Sequence, residues 1–178
     1  MSMKKVGSIE VYELDENLDK YTRKEREEYI NELFKQEYQG KEISYLLNGE
    51  EIKALINKTT KKNFFVKKHS HGQKESSLEF NTRQDIVFSG DYENLIKNSQ
   101  YDKSSKDNYI GFSKNHTDSN EWHYFKKSIV CNGIVFDVII DVRERYGKYI
   151  LYNIKLKEVD SPTINRGYTL TSSVSNIS

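Results

Sequence analysis

The residues best suited to chemistry lie in a short basic segment at positions 67–71, where two lysines precede two histidines that flank a serine. Histidine transfers protons near neutral pH, and lysine or arginine stabilises negative charge on a phosphate. Cleavage of RNA by the neighbouring ribose 2′-hydroxyl needs these groups and no metal. We therefore predict His69 as the general base, with Lys68 and Arg143 stabilising the phosphorane. A loop histidine without a catalytic task is the open alternative.

Further side chains extend this predicted site. Tyr152 completes the predicted catalytic set, and His123 is the reserve candidate for a second proton transfer. The predicted substrate-binding side chains are cations, hydroxyls and imidazoles that suit a phosphate: Lys61, Lys62, Ser70, His71, His123 and Ser173.

Metal, nucleotide and thiol chemistry find little support in the sequence. The four histidines and one cysteine show neither HExxH nor CxxC spacing, so we predict no metal and no cofactor. The absence of GxxxxGKS/T, GxGxxG and GxSxG motifs argues against nucleotide-triphosphate, dinucleotide and serine-hydrolase sites. Cys131 is predicted to be a small buried strand residue rather than a nucleophile.

The distribution of charge says more than the net charge of +1. Positions 53–74 contain seven lysines, two histidines and no acidic residue. Such a stretch favours a polyanionic partner, and we predict RNA, with tRNA as one candidate. A solvated lysine loop is the open alternative. Since no run approaches the ~18 apolar residues of a membrane span and no signal peptide is recognisable, we expect a cytoplasmic protein without a membrane partner.

The elements that must position these residues centre on a predicted β-meander. Asn132-Gly133 and Tyr146-Gly147 separate three β-rich runs, and an Asn-Gly pair is typical of a tight hairpin turn. We predict consecutive antiparallel strands over 123–131, 134–143 and 149–157. Apolar residues at period two predict that the middle strand buries Phe136, Val138 and Ile140, and the same alternation places Tyr152 on the face of Ile154 and Leu156.

A helix is predicted over residues 22–39. Thr22 and Glu25 form a capping-box pattern, and Ile30, Leu33 and Phe34 provide an apolar stripe that is predicted to cover the buried face of the meander. We therefore predict an α+β fold with N-terminal helices packed on an antiparallel β-meander of about four strands. Residues 1–21 are predicted to form an N-terminal arm, and residues 22–178 a single α+β domain.

Several segments resemble the large polyvalent protein-associated domains of phage and mobile-element proteins, which are grouped with the barnase/EndoU/colicin/RelE-like nuclease fold. The matching segments are short and fall within about residues 30–160; they are 39–43, 48–52, 61–62, 68–70, 95–99, 124–144 and 147–154. The most specific is the meander, from Tyr124 through Arg143 to Ile154. The family pattern can carry a histidine two positions after the matched Tyr152, where this sequence has Ile154.

The resemblance implies a nuclease-like domain that acts as a metal-independent endoribonuclease of the toxin type. Such domains serve in conflict between bacteria or between phage and host, and a cognate immunity or antitoxin protein is the implied protein partner. Two alternatives stay open. The chain could be a non-catalytic nucleic-acid-binding member of the same fold, or a phage or mobile-element protein that inhibits host defence through its acidic N-terminal helix.

Overall fold

Strands rather than helices dominate the computed structural model, which describes residues 2–14, 20–66, 74–89, 92–106 and 121–159. These residues form eight strands, of which the last three are the longest. The strands are β1 Ser2–Val6, β2 Ile9–Glu13, β3 Glu42–Leu47, β4 Glu50–Leu55, β5 Gln100–Lys106, β6 Glu121–Cys131, β7 Ile134–Arg145 and β8 Lys148–Glu158.

Four short helices accompany the strands. They are α1 Arg23–Leu33, continued by a π-helical turn at Phe34–Tyr38; α2 Lys58–Thr60, continued by a π-helical turn at Lys61–Val66; α3 Ser77–Phe88; and α4 Tyr92–Ile96. The predicted start of α1 is confirmed, because the Thr22 hydroxyl accepts from the amide of Glu25 and the Glu25 carboxylate accepts from the amide of Thr22. Ser76 caps α3 in the same way. None of the helices among the described residues has the length and apolarity needed to span a bilayer.

All eight strands join one curled mixed sheet, with the order β1-β2-β6-β7-β8-β4-β3 and with β5 paired to β6. The predicted fold, a meander of about four strands under N-terminal helices, is therefore wrong. Two parallel contacts, β2 with β6 and β4 with β8, join hairpins from the N-terminal part of the chain to the meander. The segment predicted as an N-terminal arm contains one of these hairpins, and its Tyr12 is fully buried.

The central meander itself is confirmed. β6, β7 and β8 are consecutive antiparallel neighbours, and β7 buries Phe136, Val138 and Ile140. Both predicted turns have positive φ at their two central residues, 48° and 80° at Asn132 and Gly133 and 54° and 72° at Tyr146 and Gly147.

A β-bulge in β8 changes the face that Tyr152 occupies. Asp141 pairs with Asn153 and Val142 pairs with Leu151, so Tyr152 is the extra residue. Leu151 is buried and Tyr152 is only partly so, because the period of two does not continue through a bulge. The predicted placement of Tyr152 on the buried face is therefore wrong.

One core lies between the inner face of the sheet, which carries Phe136, and the helices. Helices α2 and α3 contact β8, and α1 contacts α3 and the π-helical turn that continues α2. The predicted apolar stripe is part of this core, with Ile30 and Phe34 buried and Leu33 packed against it. Its predicted cover of the meander face stays a prediction. Cys131 is buried as predicted, and burial raises the pKa of its thiol to about 12, so it is a poor nucleophile at neutral pH.

Candidate nucleic-acid interface

The outer face of the meander, opposite the core, carries a cluster of aromatic and cationic side chains. Trp122 of β6 is the cross-strand partner of Arg143 of β7. The Arg143 guanidinium lies 5.4 Å from the ring centroid of Tyr152, and Trp122 meets the same ring edge-on with centroids 4.8 Å apart. The bulge therefore places the Tyr152 side chain on the face of the sheet that carries Arg143.

Helix α2 holds the bulge in place. The Thr60 hydroxyl donates to the carbonyl of Leu151, and the Asn63 side-chain amide donates to the carbonyl of Tyr152 over 3.0 Å. β4 pairs with β8 only at Tyr149 and Ile150. Beyond these pairs, the side chains of Thr60 and Asn63 donate the hydrogen bonds to the backbone of β8. The position of Tyr152 is thus fixed by α2 as well as by the sheet.

A groove of about 430 Å³ lies beside this cluster on the outer face. Its walls come from β5, β6, β7 and β8, and the lining side chains are Asp102, Lys103, Ser105, Tyr124, Lys126, Ile139, Asp141 and Lys155. We call this set the outer groove. The Lys103 ammonium lies 5.7 Å from the ring centroid of Tyr124, and the Tyr124 hydroxyl lies 3.2 Å from the Ser105 hydroxyl. Tyr124 therefore shares the groove with lysines from three strands, and one of them, Lys103, lies over its ring.

Two acidic side chains, Asp102 and Asp141, line the outer groove, and Asp141 is the more buried of the two. Burial raises the pKa of its carboxyl and outweighs the opposing effects of Lys155, Asn153 and Lys103. Its Oδ2 lies 3.9 Å from the Lys155 ammonium and 3.4 Å from the side-chain amide nitrogen of Asn153.

Four buried polar atoms on or beside the outer groove have no hydrogen-bond partner among the described residues. They are Asp141 Oδ1, Arg143 Nε, Arg145 Nε and Asn153 Oδ1. A buried polar group left unpaired costs ~1–3 kcal/mol, so these atoms would gain a partner from water or from a polar ligand.

Of the predicted site residues, the structure brings Arg143 and Tyr152 together. Lys61 and Lys62 lie on the π-helical turn of α2, where the Lys61 ammonium is 5.8 Å from the ring centroid of Phe34. Apart from His123, the remaining predicted residues lie outside the described residues: Lys68, His69, Ser70, His71 and Ser173.

His123 lies on the inner face, opposite to Arg143, and its side chain is 4% exposed. Its Nδ1 is 2.7 Å from the Ser104 hydroxyl, and its Nε2 is 2.7 Å from a carboxylate oxygen of Glu144. Burial, followed by the charge of Glu144, a hydrogen bond with Glu144 and the charges of Glu121 and Glu50, raises the pKa of the neighbouring Tyr149. His123 thus forms an acidic cluster with Glu121 and Glu144 on the inner face, and the sheet separates this cluster from the outer groove.

Sequence reasoning missed several residues of the outer face, although a signal was present for some. In β6, Trp122, Tyr124 and Lys126 alternate with the buried His123 and Phe125, and this alternation is readable in the sequence. Strand β5 gave no such signal, because all seven of its residues are exposed.

Comparison of the chain with models of protein families, with curated proteins and with solved structures finds no match. The resemblance to large polyvalent protein-associated domains stays a prediction from the sequence motifs.

Proposed function

We propose that the chain binds single-stranded RNA across the outer face of its meander. The observation that carries this proposal is the outer groove, which Lys103, Lys126 and Lys155 from three different strands line together with Tyr124. The Lys103 ammonium lies over the Tyr124 ring. Lysines neutralise backbone phosphates, and an aromatic ring that is partly exposed, as Tyr124 is, can stack on an unpaired base.

The composition of the surface favours a single strand over a duplex. The lining of the outer groove and the outward-facing residues of β7 together have five cations and three acids, a net formal charge of +2: Lys103, Lys126, Arg143, Arg145 and Lys155 against Asp102, Asp137 and Asp141. Three aromatic side chains, Trp122, Tyr124 and Tyr152, accompany these charges. Aromatic rings on a sheet surface bind splayed bases, which a duplex keeps stacked and paired.

The test is the affinity for labelled single-stranded RNA, measured by fluorescence anisotropy in EDTA, with an RNA duplex of the same length as competitor. Lys126→Ala should weaken binding and reduce the slope of log affinity against log salt by about 0.7, the value for one lost phosphate contact. Lys24→Ala, at an exposed position of α1, is the matched control and should leave both quantities unchanged. Equal loss in the two variants would place the RNA elsewhere or make the attraction non-specific.

A second candidate is metal-independent cleavage of the bound RNA, with His69 as general base and Lys68 and Arg143 as phosphate stabilisers. The Arg143–Tyr152 pair favours it, because Asn63 donates to the backbone carbonyl of Tyr152. The π-helical turn that carries Asn63 ends, in its described part, three positions before His69 in the sequence. Attack by the 2′-hydroxyl would break the bond from phosphorus to the 5′-oxygen and leave a 2′,3′-cyclic phosphate.

The cleavage proposal is tested by incubating the purified protein with total RNA in EDTA and analysing the end groups. His69→Ala should reduce the rate by ~10²–10⁴-fold while leaving RNA affinity intact. Arg143→Lys should also be impaired, because lysine lacks the planar fork of arginine. Full cleavage by His69→Ala protein would exclude His69 as the base, and binding without cyclic-phosphate products would leave only the binding function.

A further inference from the structure

The acidic cluster on the inner face contains two glutamates in an unfavourable arrangement. Glu121 of β6 and Glu144 of β7 are direct cross-strand partners. Like charges directly opposite each other in an antiparallel ladder are destabilising. Among the described residues, no hydrogen bond or ion pair compensates the Glu121 carboxylate. Such a conflict between local charge and fold is typical of a functional site.

His123 completes this cluster with a buried nitrogen ligand. The Ser104 hydroxyl that contacts its Nδ1 is itself 2.8 Å from the Tyr101 hydroxyl. If Nδ1–H donates to Ser104, the Nε2 lone pair points toward the carboxylates. A metal-binding histidine is usually oriented by a hydrogen bond of this kind from its second ring nitrogen.

We propose that Glu121, His123 and Glu144 bind a divalent transition-metal cation. One ligand atom from each of the three side chains lies within 4.8 Å of the other two. Ligands bound at ~2.1 Å in a tetrahedron would be about 3.4 Å apart, so small rotations of the two carboxylates close the site. One imidazole and two carboxylates suit Zn²⁺ or Mn²⁺, and water or substrate takes the remaining positions.

A simple ion pair between His123 and Glu144 is the competing explanation of the same geometry. The ion pair explains the 2.7 Å distance between His123 Nε2 and the Glu144 carboxylate, but it does not involve Glu121. A metal ion neutralises both carboxylates and needs Glu121 as a ligand. Glu121 is therefore the residue whose substitution separates the two explanations.

The experiment is isothermal titration of metal-stripped protein with ZnCl₂ and, separately, with MnCl₂. We expect one saturable site for at least one of the two ions and at least tenfold weaker affinity in Glu121→Gln. Ser104→Ala, which removes only the orienting hydroxyl, should weaken affinity by ~10–100-fold. Glu28→Gln, at an exposed position of α1, makes the same charge change and should bind the ion as wild type does.

Two further measurements test whether the metal ion binds at Glu121, His123 and Glu144. In EDTA, Glu121→Gln should be at least as stable as wild type, because the repulsion between the two glutamates is removed. A His69→Ala/His71→Ala double variant should retain the ion; loss of binding there would assign it to those histidines and overturn the proposal. Absence of saturable binding of both ions, or unchanged affinity in Glu121→Gln, would also overturn it. Since the sheet separates this site from the outer groove, RNA binding in EDTA should be unaffected by Glu121→Gln.

Discussion

Replacing Asp141 by asparagine should tighten RNA binding, because the change removes a negative charge from the outer groove at nearly constant size. The carboxylate lies 3.9 Å from the Lys155 ammonium, so its loss also frees that cation for phosphate. A phosphate ~6 Å away is repelled by about 0.7 kcal/mol at the dielectric constant of water and about 2.8 kcal/mol at an effective value of 20. We therefore expect Asp141→Asn to bind single-stranded RNA about 3- to 100-fold more tightly.

The same substitution should also change how the free energy of unfolding depends on pH. Burial raises the pKa of Asp141 above its ordinary value of 3.8. Because the folded-state pKa exceeds the unfolded one, ionisation of Asp141 lowers the free energy of unfolding as pH rises through the interval between them. Asp141→Asn should therefore be more stable than wild type above this interval, and the difference should vanish below about pH 3.8.

The assay is fluorescence anisotropy of a labelled single-stranded RNA at fixed salt and neutral pH, with urea unfolding for stability. Glu28→Gln, which makes the same change in net charge on α1, is the control. Weaker binding by Asp141→Asn, or an equal gain in Glu28→Gln, would refute the placement of phosphates in the outer groove.

Three further substitutions probe stacking, core packing and acid stability. Tyr124→Ala should weaken RNA binding about 5- to 150-fold, from ~1–3 kcal/mol of lost stacking, with an unchanged salt slope; Tyr146→Ala, at a 74% exposed turn position, should not weaken it. Phe136→Ala should cost ~3–5 kcal/mol in urea unfolding, and a cost near zero would contradict its burial. For Glu79, burial opposes ionisation, but hydrogen bonds from the amides of Ser76 and Glu158 outweigh burial and lower the pKa of the carboxyl. The Glu79 carboxylate therefore stabilises the fold above pH 4.5, and this stabilisation is lost as the pH falls through the pKa of Glu79 in the folded protein. The stability difference between wild type and Glu79→Gln should therefore shrink in acid; a constant difference would contradict that assignment.

The parts of the fold that follow from local pattern were predictable. The strands of the meander, its two turns and the start of α1 each depend on alternation, turn residues or a capping box within a few positions. The helix stripe at Ile30 and Phe34 was readable for the same reason.

The missed features depend on pairing between distant segments. The parallel contacts of β2 with β6 and of β4 with β8 span only three and two residue pairs, so they leave little mark on the sequence. Strand β5 has no buried side chain and therefore no period-two pattern. The bulge that moves Tyr152 to the outer face inserts one residue into an otherwise regular alternation. Likewise, Glu121 and Glu144 are brought together by cross-strand register rather than by spacing along the chain.

The measurement that tests RNA binding by the outer face most directly is the affinity of the wild-type protein for single-stranded RNA as a function of salt, in EDTA. About four phosphate contacts at ~0.7 each predict a slope of log affinity against log salt near −3. We expect that slope, reduced by about 0.7 in Lys126→Ala and unchanged in Lys24→Ala. An affinity that does not change with salt, or no measurable binding at low salt, would contradict the proposed RNA interface.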